Sequence, residues 1–331
     1  MWLIRKILFP VSLVYALVVW IRNQFYNLGW FKSKSFSTPL VCVGNLSVGG
    51  TGKTPMIEFL VNGLQDQFKL AVLSRGYRRQ SRGYLQATDK TLVTQLGDEP
   101  FQLHKKFKNL IVAVDADRQN GIQELTSTVK PELILLDDAF QHRKVTPSFS
   151  ILLTTYENPF ISDWYLPTGN LRDSKVAAKR ADCIVVTKCP NNLAPKARKE
   201  IEKRLKKHPK QHVFFSYLTY ENSVFSNTDN FAFKDLRKKQ ITLVTGIANP
   251  KPLVAYLKTQ DIQFEHLAYK DHHNFTASEL KELAKRQFIL TTEKDYVRLE
   301  GKLDTLYYLP VRHQFFDDGA EALLKLVKAK I

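Results

Sequence analysis

Short apolar runs recur along the chain from Leu40 to about Tyr217, and helix-like segments separate several of them. The runs have the length and β-branched content of buried strands, whereas segments such as 55–64 and 194–207 have helical spacing. This alternation is typical of a mainly parallel sheet with helices on both faces. After a first strand from Leu40, the predicted strands are 70–73, 110–114, 133–136, 151–154, 183–186 and 213–217.

A second α/β pattern follows an Asn- and Ser-rich boundary at 220–233. It contains predicted strands at 241–245, 263–269 and 288–292, and predicted helices after Pro250, at 277–285 and from Gly319. Thr276 and Glu279 have the spacing of a helix capping box. We therefore predict a larger domain at 35–219, a linker at 220–239 and a smaller α/β domain at 240–331 that closes a cleft.

Residues 1–34 differ from the rest of the chain, because 7–21 are nearly all apolar and are flanked by arginine and lysine. Fifteen residues are too few to cross a bilayer comfortably, since about 20 are needed. No small-residue cleavage site of a signal peptide follows. We predict a helix at the membrane surface, with a helix buried in the core as the alternative. The interface-seeking aromatic residues are Trp2, Trp20, Tyr26 and Trp30.

The first predicted strand leads into a glycine-rich turn and a helix start, which is the layout of a phosphate-binding loop. The full pattern G-x-x-x-x-G-K-[ST] begins with glycine, and Ser47 stands at that position. An ordinary glycine turn is the alternative, but the Lys-Thr pair directly after Gly52 favours nucleotide binding. The predicted phosphate-binding residues are Ser47, Val48, Gly49, Gly50, Thr51, Gly52, Lys53 and Thr54, the last also as a Mg²⁺ ligand.

The composition is that of a folded protein, with 44% apolar residues among 331, but the charge is unusual. An excess of 49 basic over 32 acidic residues gives +17. Such a charge indicates a polyanionic partner: nucleic acid, an anionic membrane surface or a phosphorylated substrate. The 3 cysteines have neither metal-ligand nor disulfide spacing, which favours a reducing compartment.

Acidic and basic side chains follow several predicted strands, where ligands bind in such sheets. Asp137 and Asp138 come directly after a buried run and are candidate Mg²⁺ ligands. Lys53, Arg118 and Arg172 are candidates for stabilising a transferred phosphoryl group. The segment Thr187-Lys188-Cys189-Pro190 resembles the guanine-reading [NT]-K-x-D element, but proline replaces its aspartate, so we expect ATP and not GTP.

Several short motifs in order along the chain together resemble the tetraacyldisaccharide 4′-kinase family. The motifs are the glycine loop with Gly44-Asn45, Ser74-Arg75-Gly76-Tyr77, Gly97-Asp98-Glu99-Pro100, Asp137-Asp138-Ala139-Phe140-Gln141-His142, Asp271-His272 and Thr292-Glu293-Lys294-Asp295. The resemblance implies two α/β domains and a kinase that uses ATP and Mg²⁺. Its implied acceptor is the 4′-hydroxyl of a tetraacylated glucosamine disaccharide 1-phosphate, which gives the lipid A precursor lipid IVA.

The resemblance also assigns roles to residues. Asp98 and His272 are expected as the catalytic base pair, with Lys53 and Arg172 as further catalytic residues. Asp173 stands where the family has glutamate and is a third candidate metal ligand beside the acidic pair. The implied location is the cytoplasmic face of the inner membrane, peripheral or monotopic, with no nucleic acid and no obligate protein partner. The alternatives are an NTPase switch acting through a protein partner and a nucleic-acid-binding ATPase.

Overall fold

The computed structural model describes residues 2–331, with side chains from residue 5 onward, so the side chain of Trp2 lies outside the described part. The helices are α1 (Trp2–Ile7), α2 (Phe9–Asn27), α3 (Lys53–Leu64), α4 (Val93–Leu96), α5 (Asp98–Lys106), α6 (Arg118–Thr128), α7 (Pro195–Leu205), α8 (Lys251–Thr259), α9 (Ala277–Leu283), α10 (Glu293–Leu299) and α11 (Gly319–Lys328). Short 3₁₀ helices occupy Phe160–Ser162, Lys175–Arg180 and Phe233–Lys238.

A nine-stranded sheet forms the larger domain, in the order β15-β8-β7-β6-β1-β5-β2-β4-β3. Its strands are parallel except at the two ends, where β3 and β15 run antiparallel to their neighbours. The central strands are buried on both faces, which explains their nearly continuous apolar sequences. The fold class predicted from the sequence is confirmed. The strands are β1 (Leu40–Asn45), β2 (Leu70–Ser74), β3 (Leu85–Gln86), β4 (Ile111–Val114), β5 (Leu133–Asp137), β6 (Phe149–Thr155), β7 (Cys183–Thr187), β8 (His212–Tyr220) and, much later in the chain, β15 (Val311–Phe315).

A six-stranded sheet forms the smaller domain, in the order β10-β9-β14-β13-β11-β12. The four strands from β14 to β12 are parallel, and β9 and β10 extend the sheet in antiparallel pairing. Its strands are β9 (Ser223–Phe225), β10 (Asn230–Ala232), β11 (Ile241–Thr245), β12 (Phe264–Ala268), β13 (Phe288–Thr292) and β14 (Leu306–Leu309).

The division between the domains differs from the sequence-based one at two places. Residues 220–239, predicted as a linker, contain β9 and β10 of the second sheet. The end of the chain, predicted in the smaller domain, returns to the larger one: β15 pairs with β8, and α11 packs against α3. Burial of Leu323 and Val327 in the large core stabilises this return. The chain therefore passes between the domains twice, along β8 and before β15.

Helix α2 lies on the surface of the larger domain, not in its core. Of its residues, only Ser12 and Val19 are buried, so the alternative of a core helix is wrong. Its inner side is held by polar contacts, including Ser12 Oγ to Thr168 Oγ1 at 2.7 Å. None of the described helices combines the length and apolarity needed to cross a membrane. The outer side of α2 exposes large apolar side chains: Phe9, Val11, Leu13, Val14, Leu17, Val18, Trp20 and Ile21.

Candidate active site

The loop between β1 and α3 has the geometry of an anion cradle. Gly49 and Gly52 adopt φ of 117° and 88°, conformations that glycine adopts without steric cost, and Gly52 directly precedes the first turn of α3. The Asn45 amide donates to Thr51 Oγ1 at 2.9 Å and holds the loop from within. Within the described chain, no hydrogen bond is donated by the backbone N–H groups of Gly49, Gly50, Gly52, Lys53 and Thr54. These donors, together with the dipole of α3, fit the phosphates of a nucleotide.

The first two predicted loop residues are tied to the segment that precedes Arg172. Ser47 Oγ donates to Asp163 Oδ2 at 2.9 Å, and the N–H of Val48 donates to the carbonyl of Asn170 at 2.8 Å. A cavity of about 270 Å³ adjoins the loop and is lined by both residues. Its wall continues through Gly49, Gly50, Thr51, Lys188 and Asn249.

Beside the loop, the acidic pair after β5 meets two of the predicted cationic side chains. Lys53 Nζ lies 3.8 Å from Asp138 Oδ1. Arg172 pairs with both carboxylate oxygens of Asp138, through Nη1 at 3.1 Å and through a second, shorter contact from Nη2. Asp138 adopts a left-handed backbone conformation with φ of 49°, which is uncommon outside glycine and occurs at functional sites.

The pKa values of the two carboxylates are shifted in opposite directions. Burial, reinforced by the charge of Asp138, raises the pKa of Asp137 to about 6, and Ser74 Oγ donates to it at 3.0 Å. Burial also acts to raise the pKa of Asp138, but Lys53 and Arg172 outweigh it, so that pKa is lowered. Carboxylate and hydroxyl oxygens are suitable ligands for Mg²⁺, which usually takes only one or two carboxylates with waters and phosphates. The acidic pair and Thr54 therefore fit a phosphate-bound Mg²⁺.

Two other predicted residues have structural partners. Asp173 accepts from Asn23 of α2 at 2.8 Å and pairs with Arg180 at 3.3 Å, so its carboxylate stabilises the α2 side of the domain. This arrangement argues against Asp173 as a metal ligand. Arg118 is buried and donates to the carbonyl oxygen of Asp115 at 2.8 Å, so it supports the strand ends beneath the acidic pair.

Asp98 and His272 come from different domains and meet at the cleft. Asp98 begins α5 and His272 follows β12, and the distance from Asp98 Oδ2 to His272 Nδ1 is 2.7 Å. Lys294 Nζ lies 3.2 Å from the other ring nitrogen, Nε2. Arg298 Nη2 also lies 2.8 Å from Nδ1, but the ionised carboxylate of Asp98 can only accept, so Nδ1–H donates to Asp98. Nε2 is then the ring's acceptor and faces the ammonium group of Lys294. His272 also adopts a left-handed conformation, with φ of 62°.

Arg298 is the residue of this cluster that the sequence did not reveal. Its Nε donates to Asp98 Oδ1 at 3.0 Å and its Nη2 contacts Oδ2, while Nη1 lies 3.3 Å from the buried carboxylate of Asp295. Burial alone would raise the pKa of Asp98, but the hydrogen bonds from His272 and Arg298 hold it well below its usual range. Asp98 therefore stays ionised. The motif Thr292-Glu293-Lys294-Asp295 was the only sequence signal near Arg298.

The cleft between the domains is lined by residues adjacent to both groups. It has a volume of about 510 Å³, and its lining includes Thr54, Glu99 and Lys188 from the larger domain. Asn249 and Lys294 line it from the smaller domain. A phosphate loop at a helix start, an acidic pair beside its lysine and a histidine–carboxylate pair between two domains are together typical of a P-loop phosphotransferase.

Comparison with known proteins identifies the kind of phosphotransferase. The family model described as LpxK, tetraacyldisaccharide-1-P 4′-kinase, matches residues 4–330, and the chain belongs to this family. The tetraacyldisaccharide 4′-kinase of Flavobacterium johnsoniae is 46% identical over 95% of this chain and 94% of its own. That of Bacteroides thetaiotaomicron is 43% identical, covering 89% and 83%.

A crystal structure of LpxK from Aquifex aeolicus in complex with ATP has the same fold. It superposes with a TM-score of 0.82 at 29% identity and covers 99% of both chains. The family resemblance inferred from the motifs is thereby confirmed, and so is ATP as the nucleotide.

Proposed function

We propose that the protein transfers the γ-phosphoryl group of ATP to the 4′-hydroxyl of a tetraacylated glucosamine disaccharide 1-phosphate, giving lipid IVA. The observation that carries this proposal is the contact between Asp98 and His272 across the two domains, beside a cleft that Thr54 of the phosphate loop and Lys294, the neighbour of His272, both line. Membership of the tetraacyldisaccharide-1-P 4′-kinase family supports the identity of the acceptor.

In this proposal the phosphate loop binds the nucleotide. The unpartnered N–H groups of the loop contact the phosphate oxygens, and Lys53 and Arg172 neutralise charge on the γ-phosphoryl group. Thr54, Asp137 and Asp138 would hold Mg²⁺, which when bound supplies further charge neutralisation. Lys53 and Arg172 both lie beside Asp138, so the two cations and a candidate metal-binding carboxylate are already grouped next to the loop.

His272 accepts the proton of the sugar hydroxyl at Nε2 as the hydroxyl oxygen bonds to the γ-phosphorus and ADP leaves. Ionised Asp98 accepts from Nδ1–H, which fixes the tautomer and stabilises the imidazolium that forms. Lys294 Nζ lies beside Nε2, where the sugar hydroxyl must bind, so the hydroxyl displaces the Lys294 ammonium group on binding. Contact between the domains at this pair excludes water from the reacting groups.

The apolar outer side of α2 supports a location at the cytoplasmic face of the inner membrane, peripheral or monotopic. A helix with one polar, anchored side and one exposed apolar side is suited to lie in a membrane surface. The acylated, anionic substrate resides in such a surface, and the net charge of +17 favours anionic headgroups. We propose no nucleic-acid partner and no obligate protein partner.

Incubation of the purified protein with γ-labelled ATP and a panel of lipid disaccharides tests the function. We expect Mg²⁺-dependent transfer of label to tetraacyldisaccharide 1-phosphate, with the new phosphate at the 4′ position by mass spectrometry. A disaccharide already phosphorylated at that hydroxyl is the matched negative control. ATP hydrolysis at the same rate with and without acceptor would contradict the proposal and indicate an NTPase switch.

A further inference from the structure

Two carbonyl groups of the phosphate loop are held by side chains from distant strands. Thr187 Oγ1, at the end of β7, donates to the carbonyl of Thr51 at 2.8 Å. His313, in β15, lies with Nε2 3.0 Å from the carbonyl of Gly52. Both side chains are buried. The mechanism described above uses neither of them.

The hydrogen bonds of His313 determine where its proton lies. The carbonyl of Gly52 can only accept, so Nε2 carries the hydrogen and donates. Nδ1 is then the acceptor, and Ser216 Oγ on β8 donates to it at 3.0 Å. Burial lowers the pKa of His313 to about 4, in agreement with a neutral ring.

Holding a carbonyl also orients the N–H group of the same peptide unit. In a planar trans peptide the C=O and N–H bonds point in opposite directions. The Gly52 carbonyl also accepts from the N–H of Met56 at 3.1 Å, and the bond from His313 is its second. Together the two bonds direct the N–H of Lys53 away from β15, toward the side where the loop donors are unpartnered. The ring packs so closely that a Cβ at Gly52 would lie 2.9 Å from Nε2.

We propose that His313 is a positioning residue for ATP: its Nε2–H fixes the Gly52–Lys53 peptide so that the loop presents its N–H groups to the phosphates. The chain passes between the domains along β8 and before β15, and these two strands pair with each other. The hydrogen bond from His313 to Gly52 therefore also attaches the phosphate loop to the strands that connect the domains. The inference rests on the proposed function only in taking ATP as the nucleotide.

Two amide variants separate this role from a general structural one. His313→Gln places an amide N–H near the position of Nε2, whereas the shorter His313→Asn reaches the position of Nδ1 and stops short of Gly52. We expect His313→Asn to raise the Kd of a non-hydrolysable ATP analogue roughly two- to tenfold by calorimetry. His313→Gln should stay within about twofold, and the KM for the lipid acceptor should not change in either variant.

His266→Phe is the control, because His266 forms a comparable bond with Thr245 at 2.9 Å in the smaller domain. It should leave the Kd unchanged. Equal Kd values for wild type and His313→Asn, or equal losses in the Asn and Gln variants, would overturn the proposal.

A second measurement needs no variant. In ¹⁵N-histidine spectra of the wild-type protein with the analogue, His313 should be protonated at Nε2 and not at Nδ1 between pH 6 and 8. The opposite tautomer or a doubly protonated ring would overturn the proposal. Analogue binding uses no acceptor, so an absence of lipid phosphorylation by the wild-type protein would refute the proposed function alone.

Discussion

Lys106 offers a quantitative test of how the two domains are joined. Its Nζ lies 2.8 Å from Glu58 of α3 and 2.6 Å from Glu293 of α10, and the two carboxylate side chains are 6% and 9% exposed. Lys106→Met leaves two buried carboxylates facing each other without a cation. Removing one partner of a buried ion pair costs about 3–5 kcal/mol, which corresponds to a fall in Tm on the order of 10 °C.

The loss should depend on pH in a defined direction. Burial, reinforced by the charge of Glu58, raises the pKa of Glu293 from its ordinary 4.5 to about 7, and removing Lys106 raises it further. Because the pKa of Glu293 is higher in the folded protein than in the unfolded chain, its contribution to the free energy of unfolding is complete below about pH 4.5. That contribution is lost as the pH rises through the folded-state pKa. Differential scanning calorimetry should therefore show a larger fall in Tm at pH 8 than at pH 5.5.

Lys105 is the matched control, because it is the adjacent residue and pairs with the residue that directly follows α10. Its Nζ lies 3.6 Å from Glu300, but its side chain is 49% exposed. Screened surface pairs contribute at most about 1 kcal/mol, so Lys105→Met should lower Tm by no more than a few degrees. If both variants lose equal stability, or if the loss at Lys106 is the same at both pH values, the reasoning about the buried triad is refuted.

Three further predictions concern the site and the membrane. Asp98→Asn and His272→Ala should each lower kcat about 10²- to 10⁴-fold in steady-state assays with little change in the KM for ATP; wild-type kcat in either would contradict the base assignment. Asp138→Asn should raise the Mg²⁺ concentration for half-maximal activity at least roughly tenfold, and an unchanged Mg²⁺ titration would rule the carboxylate out. Val14→Glu with Leu17→Glu should weaken co-sedimentation with anionic vesicles at least roughly tenfold at unchanged Tm; retained binding would assign the membrane contact elsewhere.

Elements whose residues are buried on both faces could be predicted from the sequence, and elements stabilised by distant pairing could not. Strand β5 is apolar except for its last residue, Asp137, and the sequence predicted all of it but that residue. In contrast, β15 alternates exposed and buried residues, with polar Arg312, His313 and Gln314 at its centre. What makes it a strand is its pairing with β8, nearly a hundred residues earlier. Pairing with a distant strand produces no pattern of apolar residues in the sequence of β15 itself.

The same distinction applies to the site. The phosphate loop is a local pattern, because one short segment supplies its glycines, its lysine and the helix start. The Asp98–His272 pair is separated by 174 residues and was expected only from the family resemblance. Arg298 was missed because one arginine among 49 basic residues carries no distinguishing signal until the fold brings it to Asp98.

Helix α5 connects the catalytic contact with the buried triad. It is 9 residues long, about 12 Å from end to end, with Asp98 at its first position and Lys106 at its last. Each end is bonded to the smaller domain, Asp98 to His272 and Arg298 and Lys106 to Glu293. A rotation that separates the domains therefore breaks both contacts together. When the domains separate, the charged side chains of both contacts are hydrated again, which offsets much of the lost electrostatic attraction between them. The two contacts thus define one closed geometry of the base pair without preventing the domains from parting to exchange substrates.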